Sequence, residues 1–164
     1  ADHARCHPLP GTPAFGRLNR GTQNQAIGRS RGGLSTKIHI AVDALGHPMR
    51  MPLTAGQVHE ATQASILIEG LTLISLIADK GYDNDAFRSE LAAAEVDVVI
   101  PPLSSRTAEI AYDKNAYGLR YRIECFINKI KHYRRVATRY EKTARNFLSM
   151  VSLAAVMVWL RDLV

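Results

Sequence analysis

The sequence predicts an α/β protein, a mixed sheet with helices packed on it. Three observations carry this. Two alternating stretches joined by a turn read as an antiparallel hairpin. An apolar run, a helix-period segment and a second apolar run read as a parallel β–α–β unit. A long amphipathic helix and an apolar helix close the chain.

In the hairpin, Ile38, Ile40 and Val42 share one face of residues 37–43, and Met49, Met51 and Leu53 share one face of residues 49–53. Ala44-Leu45-Gly46-His47 supplies the turn between them. Pro52 places the second strand at an edge, because proline offers no N–H to a neighbour. Residues 58–71 have a helical period, with Ala61, Ala64, Ile68 and Leu71 near one face. The run LTLISLIA, ending before Asp79, reads as a buried strand. Asp83 or Asn84 caps the next helix, whose inner face is Phe87, Leu91 and Ala94. VDVVI, residues 96–100, is the following strand and is stopped by Pro101-Pro102. A helix is expected from Tyr117 to Arg135, with Leu119, Ile123, Phe126, Ile127 and Ile130 facing the core, and a last one from Lys142 to Leu163. Residues 1–33, rich in Gly, Pro, Arg and Asn, show no sustained period. They are read as an irregular lead-in to a domain spanning 34–164.

The 164 residues carry a net charge of +6, unevenly spread. Residues 1–42 hold six Lys/Arg against one acid; residues 43–119 hold five against eleven; residues 120–145 hold nine against two. A basic segment that dense points to a polyanion partner. Cys6 and Cys125 are too few for a disulfide framework and suit a reducing cytoplasm. The apolar run 147–160 is 14 residues long, short of the roughly 18 that a membrane span needs, and no secretory leader is expected. His39, His47 and His59 are isolated in sequence, and His59-Glu60 lacks the second histidine of a zinc-protease helix.

Asp79 ends a predicted buried strand, where ligands of open α/β sheets gather. A turn-forming Asp would look the same. Glu124 adds weight. Tyr117, Arg120, Glu124 and Lys131 are separated by 3, 4 and 7 residues and return to one side of a helix beside its apolar face. One acid among several cations is a poor arrangement for salt-bridge pairing. The cations keep Glu124 ionised, as a metal ligand must be, and Arg120 and Lys131 suit phosphate neutralisation.

The string YGLRYRIECFINKIKHYRRVATRYEKTARNFL resembles the C-terminal signature, Tyr-x2-Arg-x3-Glu-x6-Lys, of DDE-type bacterial insertion-sequence transposases of families four and five. GRSRGGLSTKIHIAVDALGHP, LTAGQVHE, IADKGYD and IPPLSSR resemble consecutive upstream blocks of that family. The resemblance implies a ribonuclease-H-like fold and three carboxylates holding Mg2+ or Mn2+. Asp79 matches the second Asp and Glu124 the Glu. The first should lie on the first sheet strand, where only Asp2 is available, without the family's Asp-Ser/Gly-Thr pattern around it. The first strand is therefore expected to be missing or degenerate and the chain N-terminally truncated.

The implied activity is DNA cleavage and strand transfer at insertion-sequence ends, by a cytoplasmic, nucleoid-associated homo-oligomer on DNA. Asp79 and Glu124 are assigned as metal ligands. Tyr117, Arg120, Lys131, Arg134, Arg135 and Arg139 are assigned to DNA. The alternative is a non-catalytic DNA-binding remnant.

Overall fold

Ser35 to Val42 is buried without interruption, so this stretch is covered on both faces rather than alternating between core and water. It belongs to strand β3 (Gly33–Val42) in the computed structural model, which describes residues 2–10, 25–30 and 32–162. Ile38, Ile40 and Val42 enter one apolar cluster, while Ala41 enters another on the opposite face. The sheet is thus the middle layer of three.

The hairpin forms as expected. Asp43 accepts hydrogen bonds from the amides of Leu45 and His47 at 2.8 and 2.9 Å, and Gly46 takes a positive φ of 92° that favours glycine. The returning chain makes two short strands, β4 (Pro48–Arg50) and β5 (Leu53–Ala55), each antiparallel to β3. Pro52 lies in the gap between them and still accepts from the His39 amide at 3.0 Å. β2 (Gly28–Ser30) pairs with β3 as well. These three short strands pair with β3 alone, so Pro52 is at an edge, as predicted.

The first strand is neither missing nor degenerate. β1 (Asp2–Pro10) pairs antiparallel with β3 from His3–Val42 to Pro10–Ser35 and parallel with β6 (Ser75–Ala78). It sits at the centre of the order β2-β3-β1-β6-β7, with β7 being Asp97–Val99. Strand formation here follows from the unpaired backbone edges of β3 and β6, which need donors and acceptors whatever the side chains. Parallel pairing to β6 covers only Asp2 to Ala4, so Pro8 and Pro10 lie where the strand has one neighbour. The reading of 1–33 as an irregular lead-in therefore fails at 2–10 and 28–30; residues 11–24 lie outside the described residues.

β6 and β7 are parallel and joined by α2 (Asp85–Ala93). Asn84, not Asp83, caps this helix, and Phe87 and Leu91 are its buried face. Between β5 and β6 the expected helix shrinks to a 3-10 turn, Glu60–Gln63, and α1 (Ala64–Ile68), followed by Gly70 at a φ of 71°. On the other face lie α3 (Lys114–Gly118), α4 (Tyr121–Lys131), α5 (Arg134–Ala137) and α6 (Ala144–Asp162). The single helix expected over 117–135 is thus divided. Gly118, a poor helix former, precedes a tightened turn in which the amides of Leu119, Arg120 and Arg122 bond to carbonyls three residues back. Ile123, Phe126, Ile127 and Ile130 are buried as predicted, and Leu119, ahead of α4, is exposed. No helix among the described residues is long and apolar enough to cross a membrane.

Candidate active site

Asp79 is the first residue beyond β6, and its Oδ1 accepts from the Lys80 amide at 2.8 Å, starting a 3-10 turn, Lys80–Tyr82. Glu124 lies in the first turn of α4. The two acids, far apart in sequence, meet through one atom. Arg120 Nη1 is 2.9 Å from Glu124 Oε1 and 3.9 Å from Asp79 Oδ2. Those two distances laid end to end put the carboxylate oxygens no more than about 7 Å apart. Arg120 Nη1 is itself shut off from water and has no aligned hydrogen bond, so its hold on both acids is Coulombic. The guanidinium carbon stands 5.4 Å from the centre of the Tyr117 ring, and Tyr112 meets that ring edge-on at 5.7 Å.

Beside Asp79 opens a cavity of about 300 Å3 lined by His59, Glu60, Lys80, Gly81, Tyr82 and Leu103. A β-carbon at Gly81 would stand 3.6 Å from Glu60, an ordinary van der Waals contact, so the two turns lie side by side there. Glu60 is held by Lys37, whose Nζ donates to its Oε1 at 2.8 Å and to the Val58 carbonyl at 2.7 Å. His39, fully buried, lies 2.8 Å from Thr54 Oγ1 and 3.4 Å from the Tyr82 hydroxyl. Burial, with the nearby Lys37 charge, lowers its pKa to about 4, so it is neutral at pH 7. Asp83 is the buried anchor of the site's outer wall. Arg88 Nε and Arg106 Nε donate to its two oxygens at 2.7 and 2.6 Å, and the Leu103 amide adds a bond of 2.7 Å. Sequence reading missed this polar floor. Its signal was present: Lys37 and His39 stand among the alternating Ile38, Ile40 and Val42 of a buried strand.

The other predicted site residues divide. Lys131, part-buried, ends α4 two turns beyond Glu124, about 10 Å along the helix axis. Arg134 and Arg135 are exposed; Arg134 stacks on Tyr140, and Arg135 is 3.8 Å from Glu141. Arg139 is corrected. It is 1% exposed, donates to Thr36 Oγ1 at 2.6 Å and to the carbonyls of Ala26, Glu141 and Lys142, and lies over Phe147. A guanidinium so enclosed ties the β2 region to the start of α6 and is not available to a DNA backbone. Asp2 is not brought level with Asp79. It pairs with Leu76, three residues or about 10 Å back along the strand. The β1 position one step past the Ala4–Ala78 pair, level with Asp79 just beyond the end of β6, is Arg5.

Around Asp79 and Glu124 the chain thus sets a carboxylate pair at a strand end beside cationic helix residues. The chain belongs to the transposase DDE domain family, matched over residues 5–159, and with it to the DDE-type transposases of insertion sequences. It is 42% identical over 132 residues to a Brucella ovis protein named as a transposase for insertion sequence element IS6501, covering 78% of this chain and all of that protein. It is 29% identical over 121 residues to a Burkholderia cepacia protein named as a transposase for IS402, covering 66% of this chain and 55% of that protein. No solved structure matches it.

Proposed function

We propose that this chain acts on DNA at insertion-sequence ends through a divalent cation held by Asp79 and Glu124, and that its cleavage is weak because β1 brings no carboxylate level with them. The observation that carries the reading is the convergence of both acids on Arg120. Strand order supports a ribonuclease-H-like sheet, with β3 antiparallel and β6 and β7 parallel to the central β1.

The residues fit one hard cation. Mg2+ and Mn2+ prefer oxygen ligands, the two carboxylates supply them, and a positive group already stands between the pair. Among the described residues no three His, Cys, Asp or Glu side chains are grouped to hold a metal. When bound, such an ion would activate water or a DNA 3′-hydroxyl and stabilise the leaving oxygen.

The chain's own groups do the rest. Asp79 is fixed by its bond to the Lys80 amide, and Glu124 by the helix that carries it. Arg120 serves the scissile phosphate, and Lys131, two turns on, a neighbouring one. Arg134 and Arg135 extend this cationic track along the DNA backbone without reading sequence. DNA is the partner, bound by a homo-oligomer in the cytoplasm.

The test is strand cleavage of DNA carrying the element's ends, with Mg2+ or Mn2+. Cleavage should be slow and should vanish in Asp79→Asn and Glu124→Gln. DNA binding with no cleavage under any condition would favour the non-catalytic remnant instead. The contact set has its own check. Replacing Arg134 and Arg135 with Ala should flatten the slope of log affinity against log salt by about two units. Arg139→Ala should leave that slope unchanged and lower the thermal midpoint. A flatter slope in Arg139→Ala would return that residue to the DNA surface.

A further inference from the structure

We infer that the Arg120 guanidinium is an internal counter-ion that the divalent cation displaces, so that metal uptake and release of Arg120 toward DNA are one event. The inference rests on the assignment of Asp79 and Glu124 as the metal-holding pair. Two carboxylates within about 7 Å, each about a third exposed, repel one another unless a cation lies between them. Arg120 supplies that cation, yet through an atom with no aligned hydrogen bond. Nothing directional is lost when it leaves, and an ion of twice the charge neutralises the pair better.

Arg120 keeps a partner when it leaves the acids. Its guanidinium carbon already lies 5.4 Å from the centre of the Tyr117 ring, and Tyr112 braces that ring. The residue stands at the junction of α3 and α4, just after Gly118, where the helical bonding is tightened rather than regular. Arg120 thus covers the carboxylate pair, and the pair in turn holds the nearest phosphate contact. Loading the site uncovers Arg120, so metal and DNA should strengthen each other's binding, equally in both directions.

Mn2+ binding, followed by the spectroscopic signal of the free ion, tests this without any turnover. Arg120→Gln should bind Mn2+ about tenfold more tightly than wild type, because a competing ion pair is gone. Its thermal midpoint should be lower without metal and rise more on adding it. Arg120→Lys, which keeps the charge on a slimmer group, should fall between the two and guards against misfolding of the Gln variant. Saturating Mn2+ should tighten duplex binding by wild type, and this coupling should be lost in Arg120→Gln. Mn2+ affinity unchanged or weakened in a folded Arg120→Gln overturns the counter-ion role. Asp79→Asn separates the two ideas: if it binds Mn2+ as well as wild type does, the site assignment itself fails.

Discussion

Replacing Asp83 with Ala should lower the midpoint of thermal unfolding by roughly 6–20 °C. The side chain is wholly buried and answers two guanidinium groups and one amide at 2.6 to 2.7 Å. Removing it leaves Arg88, Arg106 and the Leu103 N–H without that partner, and breaking a buried ion pair from one side costs about 3–5 kcal/mol. For a chain of this size each kcal/mol is worth roughly 2–4 °C. Asp85, exposed, also pairs with Arg106 and would soften the loss slightly. The acid dependence follows in sign. Burial alone would raise the Asp83 pKa; the hydrogen bonds from Arg106 and Arg88 outweigh it and hold the value at about 2, against an ordinary 3.8. A folded value below the unfolded one means the stabilisation is complete above about pH 4 and is lost as pH falls toward 2. Thermal midpoints measured across that window should fall steeply for wild type, and less steeply for the Asp83→Ala variant.

An acid placed on β1 should switch cleavage on. In Arg5→Asp, a carboxylate would stand on the central strand at the level of Asp79, and a third anion would help offset the charge of bound metal. One well-placed charged group at a reacting phosphate is worth about 10²-fold in rate, which is the increase expected over wild type in the cleavage assay. Asp2→Asn should change nothing, since Asp2 is three residues further back. A rate unmoved by Arg5→Asp, with DNA binding intact, would make the chain a binding remnant whose deficit lies beyond one carboxylate.

Much of this was legible in the sequence because it rests on local periodicity. The β3–β4 turn, the β6–α2–β7 crossover and the buried face of α4 follow from spacing alone. The Tyr117-Arg120-Glu124-Lys131 spacing reads as one side of a single helix; the chain divides it between α3 and α4, and Asp79 and Glu124 still meet through Arg120. What was hidden is non-local. β1 has prolines and no apolar alternation, and it is a strand because β3 and β6 leave it paired. Arg139 reads as one more cation in a basic run; only Thr36, over a hundred residues away, shows that it is enclosed. Asp83 looked like a helix cap until Arg106 and the Leu103 amide closed on it from another loop.

A divalent cation held between Asp79 and Glu124 can be located directly. Fe2+ used in place of Mg2+, with ascorbate and peroxide, cuts a polypeptide where the ion sits. Backbone cuts are expected near residues 79 and 124, both suppressed by excess Mg2+ and both absent in Glu124→Gln. Cuts at other positions that Mg2+ suppresses, with none near these two, would contradict it.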